Sequence, residues 1–141
     1  MNNNLQKVQN LTKPFNTRNI ELQMDFEFTT NSRIFFSEKK FQDLYNHTYH
    51  FTATLSSKVN DNGIAVDFFL IRKLYEQHLG YRLNADIINE VIPHINPTAE
   101  NLCLHIYQSF LTFLPDNVTL ESISLSETKA HRVIIHKEYF K

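Results

Sequence analysis

The chain has 141 residues, 42% apolar and 13% aromatic, with 12 Phe, 6 Tyr and no Trp, which suits one packed domain and excludes bulk disorder. A net charge of −1 offers no basic field for a phosphate backbone, and no apolar run approaches the ~20 residues needed to span a bilayer. The lone Cys103 allows neither an internal disulfide nor a cysteine-rich zinc site.

Neither nucleic acid nor membrane is therefore expected as a partner. Two Gly are too few for a Gly-rich phosphate loop. Residues 1–18 are polar, rich in Asn and Gln at the start, and lack the apolar centre of a signal peptide. They read as a flexible N-terminal arm before a domain spanning 19–141, and a cytoplasmic location is the expectation.

Ile20, Leu22, Met24, Phe26 and Phe28 alternate with Glu21, Gln23, Asp25 and Glu27, the pattern of a half-buried strand. Residues 29–43 are mixed and read as a loop or a bent strand around Ile34-Phe35-Phe36. On a second strand, Tyr45, His47, Tyr49, Phe51, Ala53 and Leu55 share one face by the same rule. The aromatic group Phe35, Phe36, Phe41, Tyr45, Tyr49 and Phe51 reads as core or subunit interface, or as an apolar pocket. Asn60-Asp61-Asn62-Gly63 marks a turn. Asp67 is placed to cap a helix of about 12 residues towards Leu79, with Gly80 as its stop. A second helix begins near Pro97-Thr98, capped by Thr98 or Asn96, and buries Leu102, Ile106, Phe110 and Phe113. Pro115-Asp116-Asn117 ends it. Residues 118–127 form a third strand, and Arg132 to His136 a short fourth.

The order is strand, strand, helix, helix, strand, strand, which predicts an α+β domain with the helices on one face of an antiparallel sheet. Exposed sheet edges would favour joining of sheets between copies.

Four segments, in order, carry a family resemblance. Gly63-Ile64-Ala65-Val66-Asp67-Phe68 leads into the first helix, Leu83-Asn84 follows it, Pro97-Thr98-Ala99-Glu100-Asn101-Leu102 starts the second helix, and Ser126-Glu127-Thr128 ends the third strand. Together they resemble the 6-pyruvoyl-tetrahydropterin synthase and 6-carboxy-tetrahydropterin synthase family. The resemblance implies the tunnelling fold, a four-stranded antiparallel sheet with two helices. It also implies a homo-oligomer, trimer or hexamer, with sites between subunits. It implies that the Glu127 carboxylate accepts the paired N–H donors of a pterin, for which two oxygens are geometrically suited. Thr98 would border the same pocket.

The chain departs from the family at the metal. Of three zinc-binding His positions, the first holds Ser32, and the family's His-Gly-His is matched by Tyr45-Asn46-His47, so only His47 survives. His50 lies three residues on, facing the other side of a strand. The family's catalytic Cys is matched by Phe41, and Leu79 and Gly80 fall where an Asp-His pair belongs, with His78 and Tyr81 close by. Bland readings stand beside these: His47 as a half-buried strand His, His78 as a solvated helix-end residue, Glu127 as a buried acid paired across subunits, and Cys103 as an inert core residue.

The expected function is binding of a pterin-like or other nitrogen-rich heterocycle through Glu127, with Thr98 and Tyr49 in the pocket. Metal-free acid/base chemistry, a cyclisation, isomerisation or elimination, would follow on His47, Tyr45 and His78, with no cofactor. The first alternative is a non-catalytic pterin-binding or structural subunit. The second is a zinc-dependent lyase whose rearranged site uses His47 with two of His50, His78 and Tyr45.

Overall fold

The computed structural model describes residues 3–8 and 18–140; the expected arm over 1–18 lies mostly outside the described residues. Four strands, β1 (Asn19–Phe35), β2 (Phe41–Lys58), β3 (Thr119–Ser126) and β4 (Val133–His136), form one antiparallel sheet in the order β1-β2-β3-β4. Alternation works as expected along the near half of the hairpin. Met24, Phe26 and Phe28 of β1, Tyr49, Phe51, Ala53 and Leu55 of β2, and Ile123 and Leu125 of β3 are buried. The opposite face carries exposed Gln23, Asp25 and Glu27 and half-buried Thr52, Thr54, Ser122 and Ser124.

The helices cover the apolar face. Helix α1 (Phe68–Tyr75) starts at Asp67, whose Oδ1 accepts from the backbone N–H of Phe69 at 3.0 Å and Leu70 at 3.2 Å. That satisfies two orphan donors of the first turn. Helix α4 (Ala99–Phe113) is capped by Thr98, whose Oγ1 accepts from Asn101 N at 3.1 Å. Its stripe of Leu102, Ile106, Phe110 and Phe113 is buried as the spacing requires. At the centre, Phe26 stacks on Phe51 at 4.9 Å, and Phe110 meets both rings edge-on. Such pairings favour the ring quadrupoles as well as burying area.

Gly80 does not end the first helix. A π turn over Glu76–Gly80 runs on into α2 (Tyr81–Leu83), and Gly80 sits at a helical φ of −57°. Its role is space: an added Cβ would stand 2.9 Å from the Tyr75 ring and 2.9 Å from the Glu76 carboxylate. Gly63, by contrast, occupies the turn as expected, at φ +80°. The short α3 (Ile88–Val91) was not visible in the periodicity.

Of the two readings of residues 29–43, the strand holds over 29–35. β1 continues through them, and the change of character comes from a bulge. Thr30 pairs with His47 but Ser32 pairs with Leu44, so Tyr45 and Asn46 together oppose Asn31. Asn46 takes φ 48°, a left-handed conformation that Asn tolerates better than most residues, and its N–H donates to Asn31 Oδ1 at 2.6 Å. Asn46 stands where the family motif has glycine, which suits a position with that backbone.

Beyond the bulge the free edge of β1 is closed by side-chain amides. Asn89 accepts from Arg33 N at 2.8 Å and donates to Arg33 O at 2.9 Å. Asn96 does the same for Phe35, at 2.9 and 2.7 Å. Asn84 Oδ1 accepts from Thr29 N at 3.1 Å. Asn89 and Asn96 each offer the donor and acceptor that a neighbouring strand would supply, while Asn84 offers the acceptor alone and donates to Gly80 O. Among the described residues no helix is long and apolar enough to cross a membrane.

Candidate functional site

The bulge and the end of β3 bring together the polar groups on the helix-facing side of the sheet. Thr30, Ser32, His47 and Tyr49 lie there, and Glu127 follows directly after β3. His47, half-buried, donates from Nε2 to the Glu127 backbone carbonyl at 2.7 Å, which sets the tautomer and leaves Nδ1 outside that bond. Its ring meets Tyr49 edge-on at 4.6 Å, and Tyr49 stacks on Phe28 at 4.8 Å. Thr30 Oγ1 donates to Ala85 O at 2.6 Å.

Glu127 is half-buried, and its carboxylate has no hydrogen-bond or ion-pair partner among the described residues. Tyr49 is fully buried, and desolvation raises its pKa; Ser32 partly opposes that shift, and the Glu127 charge adds to it. The phenol therefore stays protonated through the neutral range. The carboxylate thus acts on the group that burial has made a fixed neutral donor.

Tyr45 does not join this set. The extra residue in β2 throws it out of the His47 row, correcting the expectation of one shared face. It is 76% exposed, and its OH donates to Asp43 Oδ2 at 3.1 Å. Phe35, Phe36 and Phe41 are likewise exposed rather than core, with the Arg33 guanidinium 3.9 Å over the Phe41 ring. Only Tyr49 and Phe51 of that aromatic group are buried. His78 is exposed and lies parallel to the Phe113 ring at 5.8 Å, a contact with α4 and not with the strands. Thr98 is committed to its helix cap. His50 turns to the other side of β2 and pairs with Glu27 at 3.1 Å. Cys103 is buried, with its thiol pushed up to about 11 by desolvation, which makes it a poor nucleophile.

Among the described residues, the positions that the resemblance assigns to zinc hold these groups. Ser32 offers a hydroxyl, Tyr45 points elsewhere, and the Nε2 of His47 is already held by a carbonyl. Among the described residues no group of three His, Cys, Asp or Glu is placed to hold a metal ion, whereas zinc takes three or four such ligands.

A cleft of about 710 Å³ opens beside the cluster, lined among others by Ser32, Leu44, Tyr45, His94 and Asn96. Ser32 is the member common to cleft and cluster, and Glu127 does not line it. The role of Asn89 and Asn96 as a wall of the cleft was not read from the sequence, where Asn96 stood only as a helix cap and Asn84 only as part of a family segment. Their one sign was the recurrence of Asn at 84, 89 and 96 ahead of Pro97.

A four-stranded antiparallel sheet with helices on one face, and a polar cluster at the bulged end of its central hairpin, defines an α+β tunnelling-fold protein. The family model for 6-pyruvoyl tetrahydropterin synthase matches residues 21–138, and the chain belongs to that family. An Archaeoglobus fulgidus protein called "Putative 6-carboxy-5,6,7,8-tetrahydropterin synthase" is 30% identical over 69 residues, 49% of this chain. That match spans 57% of the relative's length. The solved 6-pyruvoyl tetrahydropterin synthase of Caenorhabditis elegans superposes with a TM-score of 0.71 at 14% identity, covering 86% of this chain and 98% of that one. The Plasmodium vivax enzyme gives 0.64 at 14% identity, covering 85% and 98%. At such identities the likeness establishes the fold.

Proposed function

We propose that this protein binds a pterin-like or other nitrogen-rich heterocycle through the Glu127 carboxylate, in a site that works without zinc. The observation carrying this reading is the unpartnered, half-buried Glu127 carboxylate at the end of β3. A partly desolvated charge without a counter-group is costly, and a ligand with two parallel N–H donors would remove that cost. Of the residues named for proton transfer, His47 is the one beside Glu127, and the pocket residue Tyr49 packs against it. Acid/base chemistry of the cyclisation, isomerisation or elimination class rests on His47, whose Nδ1 stands outside the bond to the Glu127 carbonyl. Assembly as a cytoplasmic homo-oligomer through sheet edges belongs to the same reading, with family membership as its support.

The dispersal of Tyr45 and His78 favours a second reading, a pterin-binding subunit without catalysis. Calorimetric titration with pterin tests the main one. Wild type should bind, and Glu127→Ala should lose most of that affinity. Equal affinity in the variant, or no binding by wild type, would sink the reading. Elemental analysis of untagged protein should find no stoichiometric zinc; about one zinc per chain would restore the metal. If wild type binds pterins and His47→Ala turns over none of a pterin panel that wild type converts, the catalytic reading stands. Binding without any turnover by wild type leaves the subunit reading.

A further inference from the structure

One side chain at the bulge makes contacts that no strand rule requires. Asn31 reaches two neighbouring segments at once. Its Oδ1 accepts from the backbone N–H of Asn46 at 2.6 Å, and its Nδ2 donates to the Asp86 carbonyl at 2.7 Å and to Asp86 Oδ1 at 3.3 Å. Its own backbone N–H donates to the Asp86 carbonyl as well, at 3.1 Å. A side-chain amide carries both an acceptor and donors, so a single Asn can hold both sides. One half-buried residue of β1 thus ties the bulge of β2 to the segment that closes the β1 edge.

What this clamp fixes is the place of the bulge. Residues directly opposite on paired strands share a face. Leu44 opposes buried Ser32 and His47 opposes buried Thr30, so both face the helices, with Tyr45 and Asn46 between them. From Tyr49 onward, burial of Tyr49, Phe51, Ala53 and Leu55 holds the register. That burial leaves a second bulge position open, one step nearer the core. Asn46 would then oppose Thr30, His47 and Thr48 would together oppose Thr29, and the imidazole would leave the helix-facing side. The observed position is marked by Asn46 at φ 48° and by its N–H on Asn31. In it, His47 Nε2 donates to the Glu127 carbonyl at 2.7 Å and the ring meets Tyr49 at 4.6 Å.

We propose that Asn31 is a positioning residue: by clamping Asn46 to Asp86, it selects the bulge position that turns His47 inward and holds its Nε2–H on the Glu127 carbonyl. The part His47 then plays in proton transfer rests on the heterocycle reading; its placement does not. Nothing local points to this role, because the partners of the Asn31 side chain lie 15 and 55 positions away.

Three measurements test it. In wild type the Asn46 amide should be protected from hydrogen exchange, and a freely exchanging Asn46 amide overturns the clamp without any variant. Nitrogen-edited NMR of the His47 ring comes second. Wild type should show the Nε2–H tautomer alone and a contact between the His47 and Tyr49 rings. Asn31→Ala should lose the single tautomer and weaken that contact, while Phe26 and Phe51 keep their signals. The double variant Asn31→Ala/Asn46→Gly should regain both, since glycine takes a left-handed φ readily. A merely structural role would change stability and leave the tautomer alone. Mixed tautomers in wild type, a His47 ring unchanged in Asn31→Ala, or a double variant as impaired as the single one overturns the proposal. Third, a pterin that wild type converts should be turned over more slowly by Asn31→Ala, by up to about 150-fold, the largest population shift that two lost hydrogen bonds allow, with recovery in the double variant. Unchanged turnover overturns the catalytic half. Should wild type bind no pterin, the heterocycle reading fails, and the ring spectra still decide the placement of His47.

Discussion

The β1–β2 hairpin has two ends that solve different problems. At the near end, Asn19–Thr30 pair with His47–Lys58 in unbroken register, and Met24, Phe26, Phe28, Tyr49, Phe51, Ala53 and Leu55 enter an aromatic core. At the far end one extra residue shifts the phase of β2, and the strand edge is held by amide side chains from a separate segment. Burial dominates the first, and hydrogen bonding organises the second. The polar groups of the candidate site, among them Thr30, Ser32 and His47, lie around the bulge where the two ends meet, so the part that holds the fold and the candidate site adjoin on the same two strands.

Truncating the near end should have the largest effect. Phe51 is 2% exposed and touches Phe26, Tyr75 and Phe110, so Phe51→Ala should cost about 3–5 kcal/mol in a urea melt. A loss under about 1 kcal/mol would remove the distinction between the two ends. Next comes Gly80→Ala, which puts a methyl group against the Tyr75 ring. A cost of about 1–3 kcal/mol is expected, and an unchanged melting temperature would show that Tyr75 can yield.

The far end should respond locally. Asn89→Ala removes two hydrogen bonds to Arg33 at a cost of roughly 1–2 kcal/mol. Amide exchange at Arg33 should accelerate while exchange at Phe26 and Phe51 keeps its global rate; equal acceleration everywhere would mean that the two ends unfold as one unit.

The smallest effect is expected away from both ends. Glu121 has its pKa lowered from 4.5 by the Lys137 hydrogen bond and then by Ser56. A depressed carboxyl adds stability above its unfolded pKa and loses it as pH falls through the lower folded value. The pair is partly exposed, so under about 1 kcal/mol is at stake. Glu121→Gln should flatten the decline of melting temperature below about pH 4.5, and an identical acid limb would remove Glu121 from the account.

Much of this architecture was legible residue by residue. The alternation from Ile20 to Phe28, the Asp67 and Thr98 caps, the α4 stripe and the turn at Gly63 each follow from a local rule with a period or a fixed offset. The four family segments carried the fold as well. Gly80 was misread because a helix-ending glycine and a glycine making room for a ring look identical in sequence. Tyr45 was misplaced because a bulge depends on the partner strand: nothing between Phe41 and His47 reveals that two residues will oppose Asn31.

The candidate site divides along the same line. Local sequence determined which groups were available, namely the Glu127 carboxylate, the His47 imidazole, and Ser32 and Tyr45 where metal ligands would stand. Tertiary structure alone decided that His47 is tied to the Glu127 carbonyl and that Tyr45 is excluded. Those outcomes depend on strand register and on amides arriving from residues 84–96, contacts between positions far apart in the chain that no periodicity encodes.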